Sequence, residues 1–153
     1  MKKINLLLSM MLAIMIGFSV TAVAQTKPNT DGQIYINAKG GIYNSAGARL
    51  GYIDKNNVVK DNADRKLYFI DKVGNVISAD GRRLGFAKMN GSFVNNAGQS
   101  IVTTKDIDKE NCAILDPQGH NIGTTHKNYK LHACAAHCYW LTKAKEKAAK
   151  NLN

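Results

Sequence analysis

The chain has 153 residues and a formal net charge of +10, with 21 Lys and Arg against 11 Asp and Glu. That length fits one domain, and the positive balance favours anionic surfaces or polymers as partners without bearing on the fold. Three cysteines cannot all pair within one chain, and beyond the first two dozen residues no stretch is long and apolar enough to span a bilayer.

Residues 1–24 read as a secretory signal peptide. Lys2 and Lys3 supply a positive start, Ile4 to Val20 is mostly apolar, and Ala22-Val23-Ala24 places small residues where cleavage requires them. An uncleaved N-terminal anchor is the alternative reading. Export to the periplasm or cell envelope is therefore expected, which removes nucleic acid from the expected partners. Residues 25–32 are polar, with Pro28 and Asp31-Gly32, and read as a linker.

Residues 33–127 repeat. Gly47, Asp64, Gly81 and Gly98 are spaced 17 residues apart, and Gly119 follows after 21. Five residues before these anchors stand Ile42, Val59, Val76, Phe93 and Ile114, and three residues after them Leu50, Leu67, Leu84, Ile101 and Ile122. A fixed period of this kind marks a repetitive architecture. Each copy opens with an apolar pair and then turns at Asn, Asp or Ser, whose side chains bond to the turn's own backbone, before ending on Gly or Asp in a left-handed conformation. A type I turn followed by a left-handed residue is a common hairpin connection. A second turn closes each unit, for example at Val73-Gly74-Asn75. The expectation is an all-β domain of five β-hairpins, about ten short strands, closed in a ring or stacked as a solenoid. Its shared core is expected from the Val/Ile/Phe column and the Leu/Ile column.

Residues 128–153 change character. Leu131, Cys134, Ala135, Cys138 and Leu141 share one face at helical spacing. A C-terminal helix is expected, its first half packed on the β core and its second half a solvated Lys-rich tail. Tyr139-Trp140-Leu141 also suits a short last strand.

Two constellations carry candidate chemistry. In the first, His132, Cys134, His137 and Cys138 lie within seven residues and are ligand types for zinc or copper. Four ligands from one helix do not wrap a tetrahedral ion, so His120 or His126 would have to help. The bland reading, small apolar cysteines on a core-facing stripe, is preferred, with no metal, cofactor or catalytic residue expected. Export permits a bridge from Cys112 to Cys134 or Cys138, and spacing does not choose between bridged and free thiols. The second constellation is basic. Arg49, Arg65, Lys66, Arg82 and Arg83 follow the anchors of three successive repeats, so the fold gathers them at one rim. They are the candidate ligand residues, weighed against an ordinary solvated, edge-blunting role. The early aromatics Tyr35, Tyr43, Tyr52, Tyr68 and Phe69 suit sugar stacking or packing. Asp106 to Asn111 forms an acidic insertion without calcium-loop spacing.

The pattern Asn/Asp-x-x-Gly-x-x-Leu/Ile-Gly, repeated five times between Gln33 and about Leu141 behind a leader, resembles the five-fold β-flower family of exported bacterial proteins. The resemblance implies a closed ring of five hairpins about a pseudo-five-fold axis. It carries no activity and no site residue. Asp64, Tyr68 and Val102 stand where the pattern has glycine. The function expected is an exported, non-enzymatic envelope module that binds an anionic glycan, a lipid or an envelope protein. A Cys/His-based metal or redox protein is the alternative, and a cell-wall-binding hairpin solenoid a weaker one.

Overall fold

The computed structural model describes residues 33–150, and of residues 144–148 the backbone alone. The expected signal peptide and linker, and residues 151–153, lie outside the described residues. The strands are β1 (Ile34–Ile36), β2 (Gly41–Asn44), β3 (Arg49–Ile53), β4 (Val58–Asp61), β5 (Lys66–Ile70), β6 (Asn75–Ser78), β7 (Arg83–Ala87), β8 (Phe93–Val94), β9 (Ser100–Asp106), β10 (Asn111–Leu115) and β11 (Asn121–His126). A 3-10 turn, Lys127–Tyr129, leads into one helix, α1 (Lys130–Lys150).

Each strand pairs antiparallel with the next, and β1 pairs parallel with β11, so the sheet closes into a barrel. Ile34 opposite Gly123 and Tyr35 opposite Thr124 make the closing seam. About ten strands were expected; the eleventh is β1, which precedes the first hairpin and closes the barrel.

The anchor turns are built as their residue types dictate. In the first, the Asn44 side chain accepts from the Ala46 and Ala48 amides, and Gly47 stands at φ +77°. Asp61 does the same for Ala63 and Arg65, with Asp64 at φ +63°. The left-handed residue inserts one extra position into the strand pair. Register shifts accordingly fall between Ile42 and Tyr43, between Val59 and Lys60, between Val76 and Ile77, between Phe93 and Val94, and between Ile114 and Leu115.

This shift decides which columns are inside. Ile42, Val59, Val76, Phe93 and Ile114 are buried, as expected. The column three residues past each anchor is only half-buried, against expectation, because the inserted residue turns it away from the interior. The next position points inward instead: Gly51, Tyr68, Gly85, Val102 and Gly123 are all buried. Gly51 and Gly123 are required there by close approach, since a Cβ on either would stand 2.2 Å from a backbone oxygen of the neighbouring strand, Lys60 or Ile34. Tyr68 and Val102 occupy the same position on β5 and β9 and are buried there.

The helix fills the barrel. His132, Ala133, Cys134, Ala135, Ala136 and His137 are all at most 2 % exposed. Successive helical residues are turned by about 100°, so Ala133 to Ala136 point in four directions and none meets water. A helix buried all round lies within a core rather than on it, and Ala133 to Ala136 belong to one apolar cluster with Ile42, Val59, Val76 and Ile114. The expected one-sided packing on the sheet is therefore corrected: α1 runs through the barrel. Small side chains suit it, because a barrel interior leaves little space beyond the helix backbone. The Tyr139-Trp140-Leu141 segment is helical, not a last strand.

The direction of the helix follows from its contacts. At the end of the turns between hairpins, a Cβ on Gly40 would touch the Tyr129 ring, His132 Nε2 lies 3.4 Å from Asn57 Oδ1, and the Cys134 thiol donates to the Gly91 carbonyl. Asp106, at the end of β9, takes Lys130 Nζ at 3.0 Å and Lys127 Nζ at 3.2 Å, and accepts from the Cys112 thiol. Those donors hold the Asp106 carboxyl well below its ordinary range, Lys130 contributing most. The acidic insertion thus binds ammonium groups at the start of the helix. The helix leaves by the opposite mouth, among the anchor turns.

Candidate functional site

At that mouth the emerging helix and the anchor turns enclose a cleft of about 690 Å³. One wall carries Leu67, Val76, Leu84, Phe93 and Ile101 from β5 to β9. The facing wall is helical: Ala135, Cys138, Tyr139 and Thr142 fall at i, i+3, i+4 and i+7, one face of α1. Ala135 and Cys138 are small, and the space they leave opens between helix and strands. Ser78, Asp80, Asn95 and Asn96 of two successive turns, with Lys66, Arg82, Arg83 and Lys143, make the polar rim.

Of the five expected ligand cations, the structure brings Lys66, Arg82 and Arg83 together at this cleft, while Arg49 and Arg65 do not line it. The Arg49 guanidinium lies over the Tyr52 ring, 5.1 Å from its centre. Arg65 is 79 % exposed and bonds Asp61 at 2.7 Å. Arg82 reaches Asp80 at 2.8 Å, and the Asp80 carboxyl is held at about 2, first by the Ser78 hydroxyl and then by Arg82. Lys66 lies over Phe69, 5.0 Å from the ring centre. Exposed pairs such as Arg65–Asp61 contribute little to stability. They do reduce the field that a ligand meets; among the described residues, neither Lys66 nor Arg83 forms an ion pair at the cleft.

No disulfide joins the cysteines: Cys112 and Cys134 are buried and Cys138 is half-buried. Burial raises the Cys134 thiol far above its ordinary value. His132 and His137 are pushed down to about 4 by burial, so both are neutral at pH 7. Among the described residues no three His, Cys, Asp or Glu side chains converge as a metal site would require. The Nδ1 atoms of both histidines and the Tyr68 phenol oxygen are buried without a hydrogen-bond partner among the described residues.

Tyr68 stands where the repeat pattern has glycine, and its ring suits sugar stacking or packing. It packs inside the barrel, fully buried, with its ring 5.4 Å from that of Tyr139. Its burial raises the phenol well above its ordinary value. Sequence reading also missed the helical wall of the cleft. The signal was present, since small residues recur at 135, 138 and 142, but its meaning depends on the helix passing through the barrel.

Comparison with protein-family models, with curated proteins and with solved structures finds no match to this chain.

Proposed function

We propose that the chain is an exported, non-enzymatic binding module of the five-fold β-flower kind, five hairpins about a pseudo-five-fold axis, whose ligand seats in the cleft where the helix leaves the barrel. The 17-residue sequence period and the recurring register shifts support the five-hairpin ring. The leader-like residues 1–24 support export. The observation that carries the binding reading is the cleft itself, which is apolar on two walls and cationic at its rim. Its volume falls within the roughly 300–1,000 Å³ common for small-ligand sites, which combine apolar lining with a few placed polar groups. The alternative, a redox or thiolate-metal role, needs a thiol that ionises easily, and the burial of Cys134 works against that.

The test is a fluorescence titration with an anionic naphthalenesulfonate dye. The native protein is expected to bind it saturably at one site, and added salt is expected to weaken binding because rim charges are screened. Lys66→Ala with Arg83→Ala should weaken it about tenfold, in line with losing charge-assisted contacts. Absence of saturable binding, or equal binding by the double variant, would contradict the proposal.

A further inference from the structure

We infer that the cleft takes a single-chain amphiphile with a carboxylate head, in chemical class a long-chain fatty acid. The inference rests on the binding reading above and narrows it to one occupant. Three observations point the same way. The lining of the cleft is divided between apolar and charged side chains. Leu67, Leu84, Phe93 and Ile101 with Tyr139 line it with apolar surface, and Lys66, Arg82, Arg83 and Lys143 line it with positive charge, Asp80 offsetting Arg82. A polyanion meets charge along its length and has no use for such walls; an acyl chain with one terminal charge matches both parts.

The second observation is the half-buried state of Leu67, Leu84 and Ile101. The register shift at each anchor turn turns these residues out of the barrel interior, and at the cleft they are left partly open. Covering them with a chain removes apolar surface from water, a gain that grows with chain length. The third observation is geometric. Arg83 offers a planar fork suited to two carboxylate oxygens, and Lys66 offers a point charge on the neighbouring hairpin at the same step of the repeat. Both charges are complementary to an anionic head group at this cleft.

Cys138 reports occupancy, because it lines the cleft and is half-buried, whereas Cys112 and Cys134 are buried. The experiment measures the rate at which iodoacetamide alkylates Cys138 in the full chain. Straight-chain carboxylates of six to sixteen carbons are added below their micelle concentrations. Expected is protection that tightens roughly two- to fourfold per added methylene until the cleft is filled, as burial of each CH₂ implies. The alcohol of equal length should protect about tenfold less well, and Lys66→Ala with Arg83→Ala should erase that difference between acid and alcohol. If hexanoate or polyglutamate protects as well as dodecanoate, the cleft selects charge alone; the amphiphile assignment then falls while the binding reading stands. If no acid, alcohol or polyanion slows alkylation of a folded protein whose Cys138 reacts, both fall.

Discussion

Leucine at Ala133 or Ala136 is expected to destabilise the protein by about 3 kcal/mol each, the upper part of the range for overpacked cores; at Ala135, which lines the cleft, the added side chain has room and the cost is expected to be smaller. The three residues are at most 2 % exposed and face three directions around α1. A helix lying on the outside of the sheet would turn at least one of them toward water, where an added isobutyl group costs little. A helix inside the barrel has no such face. Ala149→Leu, at an exposed position of the same helix, is the control and should stay within about 0.5 kcal/mol of the parent. Urea denaturation of the four variants decides the matter. Tolerance at Ala133 or at Ala136 would place that side of the helix outside the core.

Acid is expected to weaken the fold well before the carboxylates respond. His132 and His137 are held at about 4 by burial, against an ordinary value of 6.5. Their folded-state values lie below the unfolded ones, so the unfolded chain takes up protons that the folded chain refuses. Stability from this source is complete above about pH 6.5 and is lost as pH falls toward 4, where it levels off. Between pH 7 and pH 5 the pair should cost about 4 kcal/mol, a large share of the 5–15 kcal/mol typical of a domain. The turn carboxylates Asp54, Asp61, Asp71 and Asp116 have lowered values. Their contribution is present above their unfolded value near 3.8 and is lost only as pH falls below it, so the two windows separate. Urea midpoints across pH 4.5–7 check the sign. His132→Gln with His137→Gln should flatten the curve in that window. A parent protein equally stable at pH 5 and pH 7 would mean that the two imidazoles are not enclosed.

The anchor turns were readable because each needs particular residues. Asn44, Asp61 and Asn95 bond their own turn backbones, and Gly47, Asp64 and Gly98 adopt the left-handed conformation that the hairpin requires. The inner column from Ile42 to Ile114 was readable from hydrophobicity. The Leu/Ile column misled for the same reason: leucine at 50, 67 and 84 looks like core, yet the extra residue of each turn gives the interior position to Gly51, Tyr68 and Gly85. Glycine there reads as flexibility when its cause is a neighbouring backbone 2.2 Å from where the Gly51 Cβ would stand.

The helix was readable as a helix but not as the barrel's filling. Its inner stretch, His132 to His137, has little hydrophobic contrast because space rather than polarity selects its residues. The rim cations were readable as a set. Their local partners, Asp61 for Arg65 and Asp80 for Arg82, lie four and two residues away, and only the folded turn shows that they neutralise those arginines. The pairing of Asp106 with Lys127 and Lys130 depends on the end of β9 meeting the start of the helix, which no local pattern encodes.

The most direct test of a helix that fills the barrel and opens a cleft on leaving it is native-state alkylation, followed residue by residue with mass spectrometry. Cys134 and Cys138 are one helical turn apart, so they differ in depth along the same face. Cys138 is expected to react readily, while Cys134 and Cys112 react only as fast as the protein unfolds globally. Cys134 reacting at the rate of Cys138 under native conditions would contradict this placement of the helix.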